Sequence, residues 1–130
     1  MTRPVAEARP RILVIDDSKS LLAAVQYTLG KAGMEVFVSD NPITVGTLIR
    51  QHRPQLVLVD VEMPGLEGDK VVEIIGKHEG MRVVLYSSKG LEELRELARR
   101  SRADGFIVKH EVGFDFLRRV KAELEQVRPR

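Results

Sequence analysis

The chain has 130 residues, 43% hydrophobic and 31% charged, with a net charge of +2, so one compact domain with a well-solvated surface is expected. It contains no cysteine, which excludes disulfide bonds and thiolate metal sites and suits a cytoplasmic location. No apolar run approaches the ~20 residues of a membrane-spanning helix, and glutamates interleave with the basic residues, which argues against a nucleic-acid-binding face.

Short runs rich in Val, Ile and Leu alternate along the chain with segments of helical periodicity. The short runs predict β-strands at residues 12–15, 34–39, 56–59, 83–85 and 106–108. Residues 1–10 fit neither pattern and are predicted to be a disordered leader. Residues 11–127 are predicted to form one domain, and residues 128–130 a tail.

A helix is predicted after each strand. The first is capped by Ser18 and the second begins at Asn41-Pro42. The third is predicted at residues 69–79, with Val72 and Ile75 facing inward, and two further apolar stripes begin at Leu91 and Val112. Strict alternation of this kind predicts an α/β fold in which a parallel sheet carries helices on both faces.

Polar residues follow most of the predicted strands. Asp16 and Asp17 follow the first strand, Asp60 the third, Ser87 the fourth and Lys109 the fifth. Taken alone, an Asp or Ser after a strand often only caps the next helix, and a lysine is often only a surface charge. Because parallel strands end along one edge, where open α/β sheets bind ligands, we expect these side chains to converge in a functional site.

The chemistry of such a crevice points to a metal and a phosphoryl group. Three carboxylates would repel one another by about 4 kcal/mol per close pair at an effective dielectric of about 20, and one lysine offsets a single charge. Ligands that are all oxygens favour Mg²⁺. The metal, the ammonium and the hydroxyl can together stabilise a phosphoryl group. Asp60, which ends an apolar strand, is the predicted nucleophile that would carry it.

These residues belong to an ordered set of motifs. The set comprises Asp16-Asp17, D-x-x-M-P-G from Asp60 to Gly65 with Gly68 behind it, Ser87, and Gly105-Phe106 leading to Lys109. In type and spacing it resembles response-regulator receiver domains of two-component signal transduction, in particular stand-alone regulators of chemotaxis. The resemblance covers residues 11–127. It implies a flavodoxin-like (βα)5 fold of three layers, with a parallel five-stranded sheet in the order 2-1-3-4-5.

The resemblance also implies how the acidic residues act. Asp60 would accept a phosphoryl group from a phosphohistidine on a histidine kinase or phosphotransfer protein. Asp17 and Asp60 would bind Mg²⁺ directly, Asp16 largely through water, and Glu62 through its backbone carbonyl. Lys109 would pair with the phosphoryl oxygens. The protein would then be a signalling switch rather than an enzyme with turnover.

Two further residues are implied to form the switch. Ser87 would hydrogen-bond the phosphoryl group, and the rotamer of Phe106 would follow the resulting shift of the loop after the fourth strand. The signal would be presented on the face formed by the fourth helix, fifth strand and fifth helix. An output protein would read it there, and a dimer linked to phosphorylation is a further expectation.

One residue departs from the family pattern. Receiver domains usually have a proline after the lysine, joined by a cis peptide bond, whereas this chain has His110. A cis bond to a residue other than proline costs roughly 3 kcal/mol, so we predict a trans Lys109–His110 bond, or a strained cis one, and an altered loop into the last helix. Glu62 and Lys89 flank the predicted site, and a pair between them across its mouth is a further hypothesis.

An alternative of a different class is an interaction module that keeps the fold and signals without phosphorylation. His110 favours it, and the complete set of polar site residues argues against it. The sequence disfavours two enzyme or carrier functions. A Mg²⁺-dependent phosphohydrolase would need a cap insertion or specificity loop to hold a substrate, and a flavin carrier would need a less acidic loop than residues 16–20, DDSKS. The sequence ends with QVRPR after the fifth helix, so we expect a stand-alone receiver or a fragment of a longer regulator.

Overall fold

The computed structural model describes residues 9–63, 70–109 and 112–128. Within these ranges strands and helices alternate. The strands are β1 (Arg11–Ile15), β2 (Glu35–Ser39), β3 (Leu56–Asp60), β4 (Arg82–Ser87) and β5 (Gly105–Val108). The helices are α1 (Lys19–Lys31), α2 (Val45–His52), α3 (Val71–Ile75), α4 (Leu91–Ser101) and α5 (Phe114–Glu125), and a 3₁₀ turn, Pro42–Thr44, precedes α2. Among the helices described, none is long and apolar enough to span a membrane.

The five strands form one parallel sheet in the order β2-β1-β3-β4-β5, as predicted. After β1 the chain forms β2 next to one edge of β1, and it then returns to form β3 next to the other edge of β1. The order therefore reverses between β1 and β3, where open α/β sheets bind ligands. The last residue of β1, Ile15, pairs with Val59, so the segments that follow both residues begin side by side.

Alternation of side chains along the strands builds a hydrophobic layer on each face of the sheet. In β1, Ile12 and Val14 pack towards α1 and α5, whereas Leu13 and Ile15 pack towards α2, α3 and α4. All five residues of β3 are buried, as expected for a central strand covered on both faces. The three-layer architecture predicted from the sequence is confirmed.

The helix boundaries follow local capping chemistry. The hydroxyl of Ser18 accepts a hydrogen bond from Leu21 N–H at 3.2 Å, and Asn41 Oδ1 accepts one from Ile43 N–H at 3.0 Å, so both predicted caps are confirmed. The predicted extent of the third helix, to residue 79, is wrong. α3 ends at Ile75 because Gly76 has a φ of 83°, which is the left-handed region where a helix stops.

Candidate functional site

The carboxyl-terminal edge of the sheet gathers the predicted polar residues. Asp16 follows β1 directly, Asp60 ends β3, Ser87 ends β4 and Lys109 follows β5. Asp16, Asp60 and Ser87 are at most 3% exposed. Because buried polar groups are unfavourable unless they are paired, their partners decide what the site can do.

The three aspartates form an acidic cluster. Asp16, Asp17 and Asp60 each offer a carboxylate oxygen, and these oxygens lie within 4.8 Å of one another. Asp16 Oδ1 accepts a hydrogen bond from Ser18 N–H and Asp60 Oδ1 accepts one from Glu62 N–H, both at 2.9 Å, and Asp17 is exposed. The aspartates are not the cap of α1, because the side chain of Ser18 fills that position.

Lys109 places its ammonium between two of these carboxylates. Its Nζ lies 2.8 Å from Asp16 Oδ2 and 3.5 Å from Asp60 Oδ2. The backbone N–H of Lys109 donates to the carbonyl oxygen of Ser87 at 2.6 Å, which ties the residue to the end of β4. Asp16 Oδ2 is buried and accepts no well-directed hydrogen bond from the described residues, so it retains capacity for a further partner.

The electrostatics of the site follow from burial and from these pairs. Burial raises the pKa of Asp60, and the charge of Asp16 raises it further, against the lowering effects of the Glu62 N–H and the Lys109 ammonium. Burial alone would lower the pKa of Lys109. The close ion pair with Asp16 and the charges of both carboxylates outweigh burial, and the pKa of Lys109 lies above its usual value.

The loops at the mouth of the site make different contacts from those predicted. Lys89 pairs with Glu93, one turn along the chain, at 3.2 Å, and Glu62 Oε2 accepts a hydrogen bond from the hydroxyl of Ser88 at 3.1 Å. The predicted Glu62–Lys89 pair is therefore wrong, because each side chain has a nearer partner. Ser87 Oγ accepts a hydrogen bond from Lys89 N–H at 3.1 Å, and no described residue accepts a hydrogen bond from its hydroxyl.

Other predicted features lie on β5 or outside the described residues. Phe106 is half-buried and packs against the hydrophobic layer that contains α4. The segment from Pro64 through Gly68 and the Lys109–His110 bond lie outside the described residues. The trans bond therefore stays a prediction.

The contact between Tyr86 and Lys109 was not predicted from the sequence. Tyr86 is fully buried at the end of β4, and the Lys109 ammonium lies 5.2 Å from the centroid of its ring. Burial, together with the charges of Asp16 and Asp60, raises the pKa of Tyr86 to about 12. Its position directly before Ser87 was the only signal in the sequence.

Known proteins resemble this chain across most of its length. It is 31% identical over 118 residues to the DNA-binding response regulator MtrA of Mycolicibacterium paratuberculosis, and equally to that of Mycobacterium tuberculosis. In both cases the match covers 91% of this chain but 52% of the relative, so the chain spans about half the length of these curated relatives.

The solved structures agree with the sequence relatives. The CheY-like response regulator receiver domain protein from Methanospirillum hungatei JF-1 superposes with a TM-score of 0.79 at 25% identity, covering 92% of this chain and 96% of that one. The family model described as "Response regulator receiver domain" matches residues 12–122. The chain therefore belongs to the response regulator receiver domain family.

Proposed function

We propose that this receiver domain is switched by phosphorylation of Asp60. One observation carries the proposal: a buried carboxylate at the end of β3 lies in a cluster with Asp16 and Asp17 while the ammonium of Lys109 stands 3.5 Å from it. A nucleophile, a set of metal ligands and a fixed positive charge therefore meet at one point. Phosphoryl transfer needs mainly this positioning and charge stabilisation.

The residues present fit a magnesium ion. The donors are carboxylate oxygens, which Mg²⁺ prefers, and the buried Asp16 Oδ2, beyond its ion pair with Lys109, has no hydrogen-bond partner among the described residues. Asp16, Asp17 and Asp60 would hold the ion, together with the backbone carbonyl of Glu62. When bound, Mg²⁺ would neutralise charge on the phosphoryl oxygens.

The side chains of the site supply the remaining chemistry. A carboxylate oxygen of Asp60 attacks the phosphorus of a phosphohistidine on a histidine kinase or phosphotransfer protein. A P–O bond forms, the P–N bond breaks, and the leaving imidazole keeps the electron pair and takes a proton. Lys109 would balance charge on the phosphoryl oxygens, and the hydroxyl of Ser87, which no described residue engages as a donor, would hydrogen-bond one of them.

Signalling would follow from the movement of the loop after β4. Drawing Ser87 towards a phosphoryl oxygen shifts the segment that leads into α4, and Phe106, which packs against that layer, would change its rotamer in response. The surface formed by α4, β5 and α5 would then bind an output protein or a second copy of the domain. Direct contact with nucleic acid is not expected of this segment, because glutamates interleave with its arginines.

Intact-mass measurement with acetyl phosphate and Mg²⁺ tests the proposal. We expect the mass to increase by one phosphoryl group in the wild type, and no increase without Mg²⁺ or in Asp60→Asn. The matched control is Asp40→Asn, which alters an exposed aspartate after β2 and should leave the gain intact. If neither acetyl phosphate nor beryllofluoride modifies or binds the wild type, the phosphorylation-independent interaction module becomes the better interpretation.

A further inference from the structure

Tyr86 occupies a position directly beneath the site. It pairs with Asp60 in the register of β3 and β4, and it is fully buried in the layer that contains α1 and α5. Its ring packs against that of Phe116 on α5, with centroids 5.4 Å apart and a tilt of 40°. One face of the ring is thus supported by the core, which fixes where the ring can lie.

The Lys109 ammonium lies between this ring and the carboxylates. Nζ is 5.2 Å from the ring centroid, within the range of cation–π attraction, and 2.8 Å from Asp16 Oδ2. The side chain of Lys109 is only 19% exposed, so little water competes for the ammonium. A lysine side chain has many rotamers, and the contacts with the two carboxylates and with the ring together restrict them.

The hydroxyl of Tyr86 is not what places the ring. It is buried and, among the described residues, finds no hydrogen-bond partner. An unpaired buried hydroxyl opposes folding, so the contact with Lys109 depends on the aromatic face rather than on Oη. A phenylalanine would present the same face without the unpaired group.

We propose that Tyr86 is a positioning residue that holds the ammonium of Lys109 at the carboxylate edge before any phosphoryl group arrives. The inference rests on the proposed role of Lys109 in phosphoryl transfer. Because the lysine is already ordered, the reaction does not have to restrict its rotamers, and that entropy cost is absent from the barrier. It also links α5 to the reacting groups through the stack of Phe116, Tyr86 and Lys109.

The first test is NMR of the Lys109 side chain in the unphosphorylated protein. A ring above the ammonium should move the Lys109 Hε resonances upfield in the wild type and in Tyr86→Phe, and this shift should be lost in Tyr86→Leu. Lys109→Met assigns the signals by removing them. An unshifted Lys109 signal in the wild type overturns the proposal, whatever the variants do.

The second test is the rate of phosphorylation by acetyl phosphate at saturating Mg²⁺. We expect Tyr86→Phe to match the wild type within about twofold and Tyr86→Leu to be slower by about tenfold. Val25→Ala is the control, because it removes buried apolar volume from the same layer, and its rate should fall less than that of Tyr86→Leu. If Tyr86→Leu does not fold, Tyr86→Met replaces it.

The outcomes separate the two proposals. If the wild type is not phosphorylated, the proposed function fails, while the Lys109 resonances still decide whether the ring holds the ammonium. If the wild type is phosphorylated and Tyr86→Leu reacts equally fast, Tyr86 is a core residue only. Equal losses in Tyr86→Leu and Val25→Ala lead to the same conclusion.

Discussion

Asp60 lies where burial opposes the charged form of a carboxylate. Its side chain is almost inaccessible to water, and this burial, with the charge of Asp16, raises its pKa against the lowering effects of the Glu62 N–H and the Lys109 ammonium. Since the pKa of Asp60 is raised in the folded protein, the ionised carboxylate weakens folding. The proposed phosphoryl acceptor is therefore a group that lowers the stability of the folded protein when it is ionised.

This predicts a stability gain for Asp60→Asn in the absence of Mg²⁺. A carboxylate with a raised folded-state pKa destabilises nothing below its unfolded pKa, because both states are protonated there. The penalty appears as the pH rises through the unfolded value and is complete above the folded one. Asp60→Asn should therefore raise the Tm by several degrees at pH 7, and the difference from the wild type should vanish in acid.

Thermal unfolding across pH checks this expectation, with Asp115→Asn as the matched control. Hydrogen bonds from Arg118 and Arg119 lower the pKa of Asp115, which is the opposite direction, so removing that charge should bring no gain at neutral pH. An Asp60→Asn protein less stable than the wild type at pH 7 would show that the pair with Lys109 outweighs burial.

At the scale of elements, α5 is fastened to the sheet by one nearly buried ion pair. Arg82 Nη2, at the start of β4, lies 2.6 Å from Glu123 Oε2, and the same nitrogen donates to the carbonyl oxygen of Asp104 at 3.1 Å. The two side chains are 20% and 17% exposed. If one partner is removed, the other charge stays poorly solvated and unpaired. Breaking such a pair therefore lowers the free energy of unfolding.

Glu123→Ala should therefore lower the free energy of unfolding by about 2 kcal/mol. Urea denaturation measures the change. Glu96→Ala is the matched control on α4, because Glu96 pairs with Arg99 on an exposed helix face and its loss should matter much less. Equal destabilisation by the two substitutions would mean that burial does not strengthen the Arg82–Glu123 pair.

A substitution at Gly105 also tests the Arg82–Glu123 ion pair. A Cβ on Gly105 would lie 2.7 Å from Glu123 Oε1, so Gly105→Ala must shift the carboxylate that pairs with Arg82. Alone, this change should cost about 1 kcal/mol. In the Glu123→Ala background the clash is absent and the cost should disappear, which a double-mutant cycle would show as coupling.

The elements show what can be predicted from the sequence and what cannot. The strand ends could be placed because alternation of buried segments dictates a parallel sheet, and Asp16, Asp60 and Ser87 then fall on one edge. The end of α3 was missed because an apolar stripe does not reveal the positive φ of Gly76.

Side-chain partners were harder to predict than strand ends. Lys89 pairs with Glu93 rather than with Glu62, because Glu93 lies four residues, about one helical turn, further along the chain. The contact between Tyr86 and Lys109 depends on where two strands end relative to each other in space, and residue spacing alone does not contain that information.

For the molecule as a whole, Mg²⁺ should act as a stabilising ligand. An ion that binds only the folded chain raises its stability by mass action, by about 2.7 kcal/mol at a concentration one hundred times the Kd. We expect the Tm to rise with Mg²⁺ and this response to be largely lost in Asp17→Asn, where an exposed ligand is removed without disturbing the core. A Tm indifferent to Mg²⁺ in the wild type would contradict the proposed metal site.

The ammonium of Lys109, between Asp16 and Asp60, limits the distance over which phosphorylation could change the electrostatic potential. With a divalent ion bound, the three carboxylates and Lys109 would form a group close to neutral. Replacing one carboxylate charge by a phosphoryl group, which carries about −1.5 to −2, changes the total by about one unit or less. Physiological salt screens such a change within about 8 Å. A partner that binds α4, β5 and α5 would therefore respond to a change in the conformation of that surface. The change in electrostatic potential at the phosphorylation site would be too small and too strongly screened to reach it.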